Sequence, residues 1–194
     1  MNDQTLRRAV FLDRDGTINV EKDYLFRPED FEFIPGAPEA IARLKQAGFL
    51  VIVVTNQSGV ARGYFSVDEV RALHDFLQKE LAPFGAAVDA FYLCPHHPEQ
   101  GVGSYKSDCD CRKGRPGMLL RAAAEHAIDL RRSFMVGDKV ADVEAGRRAG
   151  CRSLLVLTGY GETEATKIGP EDAVVVADLA QAVDYILHLE GMNL

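Results

Sequence analysis

The strongest constraint on this chain is a rhythm in its hydrophobicity. Short apolar runs at 9–12, 49–54, 90–93, 133–136, 153–157 and 173–176 alternate with longer stretches at 38–47, 67–81, 117–127, 140–149 and 179–189, whose apolar residues recur at helical spacing. Alternation of this kind predicts strands joined by crossover helices, hence an α/β fold built on a parallel sheet flanked by helices. Gly48 and Gly150 stand just past two of the predicted helices, where helices commonly stop. Two stretches break the rhythm, 14–36 and 95–116. There is no internal repeat and no low-complexity segment.

A chain of 194 residues with 47% hydrophobic content can bury one substantial core, so a single domain over 1–194 is expected. The longest apolar run, 49–54, is far short of the roughly 18–20 residues that cross a bilayer. The N-terminus, Met1 to Arg8, leads into only four apolar residues before Asp13, which lacks the apolar region of a signal peptide and predicts a cytoplasmic protein. A net charge of −7 argues against nucleic acid as partner, because such binding relies on Lys and Arg neutralising many phosphates. A small charged substrate remains compatible, and a monomer without membrane contact is expected.

Ligands of open parallel sheets bind beyond the carboxyl ends of the strands. After the first predicted strand comes Asp13-Arg14-Asp15-Gly16-Thr17, after the second Thr55-Asn56-Gln57-Ser58-Gly59, and after the fourth Gly137-Asp138-Lys139, with Asp142 one helical turn on. Each alone has an ordinary structural reading: an Asp pair as a turn, Thr55 and Asn56 as loop residues, Asp138 as a helix cap. Their shared position at one end of successive strands points to chemistry instead. Asp13, Asp15 and Asp138 make the oxygen-rich pocket that suits Mg²⁺, which uses few carboxylates and completes its shell with water and substrate phosphate oxygens. A carboxylate nucleophile would split phosphoester hydrolysis into two steps through an acyl phosphate, and Asp15 is placed to act as acid and then base.

These segments resemble the four motifs of haloacid dehalogenase-type phosphatases: Asp13-Arg14-Asp15-Gly16-Thr17 the first, Thr55-Asn56 the second, Lys113 the third, and Gly137-Asp138-Lys139 with Asp142 the fourth. The resemblance implies a Rossmann-like sheet, Asp13 as nucleophile, Asp15 as acid and base, and Thr55 and Lys113 holding the phosphoryl group. It also implies catalytic Mg²⁺ on Asp13, the Asp15 carbonyl and Asp138.

Cys94 and His96, with Cys109 and Cys111, supply the ligands of a closed Cys₃His zinc site in the loop at about 94–111, with His97 as the alternative imidazole. The competing reading is a loop of free cysteines. Four protein ligands leave no open position, so the Zn²⁺ would be structural. Cys151 lies apart and takes no role. The segments 94–98, 109–113 and 116–118 make the chain similar to the heptose-bisphosphate branch of this family. Histidinol-phosphate phosphatases share the ligands with a shorter loop. The branch implies removal of the C7 phosphate of a phosphorylated sugar substrate, heptose 1,7-bisphosphate, in ADP- or GDP-heptose biosynthesis for lipopolysaccharide or surface glycans. Gly114 departs from it, standing where such proteins commonly carry Pro, and predicts a looser loop.

No large insertion separates the motifs, so a capless, open site is expected, with selection falling to loops. Arg112 offers a planar fork of donors for phosphate or sugar hydroxyls. Glu21, Lys22, Asp23 and Tyr24 lie in a flap after the first motif and are candidate sugar contacts, joined by Asn56, Gln57, Ser58 and Lys139. The remaining readings are another small phosphomonoester such as histidinol phosphate, a zinc-stabilised phosphate-sensing module that does not turn over, and a nucleic-acid end-processing phosphatase. Retention of both Asp13 and Asp15 opposes the sensing module, and the acidic balance opposes the last.

Overall fold

The computed structural model describes residues 6–192; residues 1–5, on which part of the N-terminal reading rests, lie outside the described residues. Among the described residues six strands form one sheet: β1 (Ala9–Leu12), β2 (Leu50–Asn56), β3 (Ala90–Cys94), β4 (Phe134–Gly137), β5 (Arg152–Val156) and β6 (Val174–Val176). They lie in the order β3-β2-β1-β4-β5-β6, and every neighbouring pair is parallel. The chain therefore winds outward from β1 in one direction and, from β4, in the other. The order reverses beside β1, and such a switch point opens a crevice at the carboxyl ends of the strands.

Alternation of side chains along β1 feeds two cores. Val10 and Leu12 enter one with Ile41 and Leu44 of α1 (Ala37–Gln46) and Val183 and Ile186 of α7 (Leu179–Leu189). Phe11 enters the other with Met118 and Leu119 of α4 (Gly117–His126) and Ala145 of α5 (Val140–Ala149). Strands buried on both faces need no polar alternation, which explains their continuous apolar runs. Among the described residues no helix is long and apolar enough to cross a membrane.

Local chemistry fixes the helix ends. Ser66 opens α3 (Val67–Leu81) with a reciprocal cap: its hydroxyl accepts from the Glu69 N–H at 3.2 Å, and the Glu69 carboxylate accepts from the Ser66 N–H at 2.7 Å. The Asp178 carboxylate caps α7 by accepting from the Gln181 N–H at 2.9 Å.

The structure corrects some boundaries. β2 starts one residue later and ends two later than the apolar run, because Thr55 and Asn56 continue the ladder opposite Leu93 and Cys94. They are therefore the end of a strand, not loop residues. Two short helices, α2 (Ser58–Ala61) and α6 (Gly161–Ala165), occupy segments read as connections. Between β1 and β2 the described residues hold one short 3₁₀ turn and α1, which agrees with a capless arrangement.

Candidate active site

β1 delivers Asp13 to the switch point. Its backbone N–H donates to the Val136 carbonyl of β4 at 2.9 Å, so the residue is fixed by the sheet although it lies past the strand end. The chain then turns at Gly16, whose φ of +82° lies in the left-handed region and whose missing Cβ leaves room for the Asp138 carboxylate. This turn lets the Asp13 and Asp138 carboxylates share one pocket with Asp142; the three offer ligand atoms within 4.8 Å of one another.

Lys113 crosses this cluster. Its ammonium lies 2.6 Å from Asp13 Oδ1 and 2.7 Å from Asp142 Oδ1, with all three side chains almost wholly buried. Burial disfavours a charged ammonium, but Asp13 and Asp142 outweigh it and raise the Lys113 pKa. The carboxylates are less well matched. Burial, opposed by Lys113 and reinforced by Asp142, pushes Asp13 up to about 6. Burial and the charges of Asp13 and Asp142 push Asp138 up to about 8. Asp138 Oδ2 accepts from the Tyr160 N–H at 2.9 Å, whereas its buried Oδ1 has no hydrogen-bond partner. A pocket with surplus buried negative charge and an orphaned oxygen suits a hard divalent cation, so these residues fit Mg²⁺.

Asp15 has a different environment. The wholly buried Arg14 donates to both of its oxygens, from Nε at 3.1 Å and from Nη2 at 3.0 and 2.8 Å. Asn19 and Gln57 add amide donors at 3.0 and 2.9 Å. Burial alone would raise the Asp15 pKa, but Arg14 and these hydrogen bonds outweigh it and hold the carboxyl below its usual range.

Asp13, Asp15, Lys113 and Asp142 face a cavity of about 410 Å³, while Asp138, grouped with Asp13 and Asp142, is not among its lining residues. Of the residues singled out from the sequence, the cavity brings together Asp13, Asp15, Glu21, Asp23, Tyr24, Asn56, Gln57, Ser58, Lys113 and Lys139. Thr55 is buried behind this wall, its hydroxyl accepting from Gln57 Nε2 at 2.8 Å. The Asn56 side chain accepts from the Lys113 backbone N–H at 2.9 Å and so anchors the lysine as well as lining the cavity. Besides Thr55, two further candidate contacts are not among the lining residues. Lys22 reaches the Asp30 carbonyl and Glu32, and Arg112 donates to the His96 carbonyl at 3.1 Å. The cavity adds Gly59, Ala141, Asp142, Tyr160 and Glu164. Asp142 was already part of the fourth motif. Tyr160 and Glu164 follow β5, and inspecting that strand end with the others would have reached Tyr160.

In the loop after β3, the sulfurs of Cys94, Cys109 and Cys111 lie 3.2–3.5 Å apart, and His96 Nδ1 lies 3.3 Å from Cys111 Sγ. These separations exceed a disulfide's roughly 2.05 Å and bring four soft donors to one point, a set that fits tetrahedral Zn²⁺. His97 is turned away from it: its Nδ1 accepts from the backbone N–H groups of Glu99 and Gln100. Gly114 does not loosen the segment. Its N–H donates to the Ala141 carbonyl at 2.8 Å and its φ is +95°, a bond and a conformation that proline cannot supply.

The HAD-hydrolase-like family model matches residues 110–182. The D-glycero-beta-D-manno-heptose-1,7-bisphosphate 7-phosphatase of Pasteurella multocida is 50% identical over 160 residues, covering 82% of this chain and 86% of that protein. The Escherichia coli protein of the same name is 44% identical over 177 residues, covering 90% and 93%. Among solved structures, the D,D-heptose 1,7-bisphosphate phosphatase of B. bronchiseptica complexed with magnesium and phosphate superposes with a TM-score of 0.84 at 39% identity, covering 94% of this chain and 99% of that one. On this similarity over nearly its whole length, the chain belongs to the D-glycero-D-manno-heptose-1,7-bisphosphate 7-phosphatase family of HAD-like hydrolases.

Proposed function

We propose that the chain hydrolyses the C7 phosphate of D-glycero-D-manno-heptose 1,7-bisphosphate through a phospho-aspartate on Asp13, leaving heptose 1-phosphate for activated-heptose synthesis. The observation that carries this reading is the buried Asp13, gripped by Lys113 at 2.6 Å beside two further buried carboxylates and facing an open cavity. In this reading residues 1–194 act as one phosphatase domain. Asp13, Asp138 and the Asp15 carbonyl would hold Mg²⁺, and Cys94, His96, Cys109 and Cys111 would hold a structural Zn²⁺.

Asp13 Oδ1 accepts from the Arg14 N–H at 2.7 Å and pairs with Lys113, a clamp that orients the carboxylate for attack on phosphorus. Bond formation to Asp13 accompanies cleavage of the bond between phosphorus and the sugar oxygen, which takes a proton from Asp15. Arg14 keeps Asp15 ionised at rest, so the proton is taken up as the substrate's negative charge arrives and raises the carboxyl's pKa. Asp15 then removes a proton from the water that attacks the phosphoryl group, which frees phosphate and restores Asp13. Bound Mg²⁺ supplies charge neutralisation for the transferring group. Lys113 contributes a second positive charge, with Thr55 and Asn56 supporting the wall behind it.

The test is phosphate release from a substrate panel that includes the heptose bisphosphate and histidinol phosphate, with phosphorus NMR of the product. The proposal requires the highest kcat/KM on the bisphosphate and a retained anomeric phosphate. Release from C1, or a preference for histidinol phosphate, overturns the substrate assignment.

A further inference from the structure

The flap after β1 contains two consecutive non-glycine residues in the left-handed region, Asp23 at φ +43° and Tyr24 at φ +61°. Such residues persist only where their surroundings over-determine the backbone, and they concentrate at ligand clamps. Here the surroundings form a closed circuit. The Asp23 N–H donates to Glu21 Oε1 at 3.1 Å, and Glu21 Oε2 lies 3.2 Å from the Lys139 ammonium. That ammonium sits 4.5 Å from the centroid of the Tyr160 ring, and the Tyr160 hydroxyl donates to Asp23 Oδ1 at 2.7 Å. The Tyr160 backbone is itself pinned to Asp138 at 2.9 Å. All four residues of the circuit line the cavity that holds Asp13.

Tyr160 is 41% exposed, so its hydroxyl bond adds little to global stability. Its position matters more. It joins the loop after β5 to a flap 137 residues away in sequence, and the pair forms part of the wall between the catalytic cavity and a neighbouring cavity of about 520 Å³ that Glu21, Asp23 and Tyr160 also line. Cutting this bond frees the strained turn without touching Asp13, Asp15 or Lys113.

We propose that Tyr160 is a specificity-positioning residue, whose hydroxyl holds the Asp23–Tyr24 turn in the shape that receives the non-reacting sugar end of the substrate. This rests on the sugar-phosphate reading above and deepens it. The reacting phosphate is held by other groups, so a substrate without a sugar end is indifferent to the turn.

Tyr160→Phe removes the hydroxyl and keeps both the ring over Lys139 and the backbone bond to Asp138. The readout is the ratio of kcat/KM for the sugar phosphate that the parent turns over best to kcat/KM for an aryl phosphate. The ratio should fall about five-fold, mainly through KM of the sugar substrate, the scale of one hydrogen bond. Asp23→Ala should lower it equally, Asp23→Asn, which keeps an acceptor, should restore most of it, and the double variant Tyr160→Phe/Asp23→Ala should be no worse than either single change. Hydrogen exchange at 23–25 should quicken in Tyr160→Phe while the melting temperature stays within a few degrees. A ratio within two-fold of the parent's, or unchanged exchange at the flap, overturns the positioning role. A parent enzyme that favours a phosphate other than the heptose bisphosphate overturns the substrate assignment instead, and the same ratio still tests Tyr160 on the favoured sugar.

Discussion

Replacing Arg14 by lysine isolates the electrostatic frame of the site. Lysine keeps the positive charge but not the planar fork, and at this position the fork makes three contacts to the two Asp15 oxygens at 2.8–3.1 Å and a fourth to the Leu25 carbonyl at 3.1 Å. A single ammonium can replace about half of these. Hydrogen bonds to charged groups are each worth about 1.5–3 kcal/mol, and the pair is barely screened because Arg14 is fully buried and Asp15 retains 15% side-chain exposure. Arg14→Lys should therefore lose about 3 kcal/mol, which for a chain of this length lowers Tm by about 6–12 °C. The pH dependence separates this cause from a packing defect. The folded pKa of Asp15 lies below its unfolded value of 3.8, so the stabilisation is complete above that value and is lost only as pH falls through the folded one. Urea unfolding of parent and variant should thus show a gap that is constant from pH 8 to pH 5 and narrows only as pH falls below 3.8, where a packing defect would leave it unchanged. A gap below about 1 kcal/mol, one that fades between pH 8 and pH 5, or one that persists undiminished at the acid end would refute the assignment of Arg14 as the clamp on Asp15.

Three other changes probe separate parts of the molecule. Asn56→Ala strips the acceptor from the Lys113 N–H and should lower kcat about ten-fold with little change in KM in steady-state kinetics. Cys109→Ser should lower zinc content by elemental analysis and the melting temperature together, while Mg²⁺ should still restore activity after brief EDTA treatment of the parent. Gly114→Pro, although it restores the residue common in the family, should cost more than about 1 kcal/mol in urea unfolding, since φ is +95° and the Ala141 carbonyl loses its donor.

The elements written in local chemistry were legible in the sequence. Helices Val67–Leu81, Val140–Ala149 and Leu179–Leu189 and strand Ala9–Leu12 match their predicted bounds, because amphipathic spacing, caps and a buried central strand are all local signals. The apolar run stops at residue 54 and so places Thr55 and Asn56 past the strand, whereas pairing with Leu93 and Cys94, which no local pattern records, carries β2 on through them. Helices Ser58–Ala61 and Gly161–Ala165 are too short to show a period. The strand-end argument located Asp13, Asp15 and Asp138, and the motif supplied Lys113. The circuit through Tyr160 depends on contacts between residues more than a hundred positions apart, and the spacing of 21–24 gave no hint of it. For Arg112 the fork of donors suggests a ligand, and the structure adds that one of those donors bonds the His96 carbonyl, a contact no sequence pattern records.

Covalent phosphate at Asp13 is the defining intermediate of the proposed mechanism. Asp15→Asn keeps the Asp13 carboxylate, its Lys113 partner and the backbone carbonyl of residue 15, but lacks the group that activates water, so turnover should drop by about 10²–10⁴. With an aryl phosphate, whose leaving group needs little protonation, this variant should phosphorylate itself and stall. A rapid quench followed by intact mass spectrometry and peptide mapping should find one phosphoryl group on Asp13. A phosphoryl group mapped to any other residue, or an Asp13→Asn enzyme with activity comparable to the parent's, would contradict the mechanism.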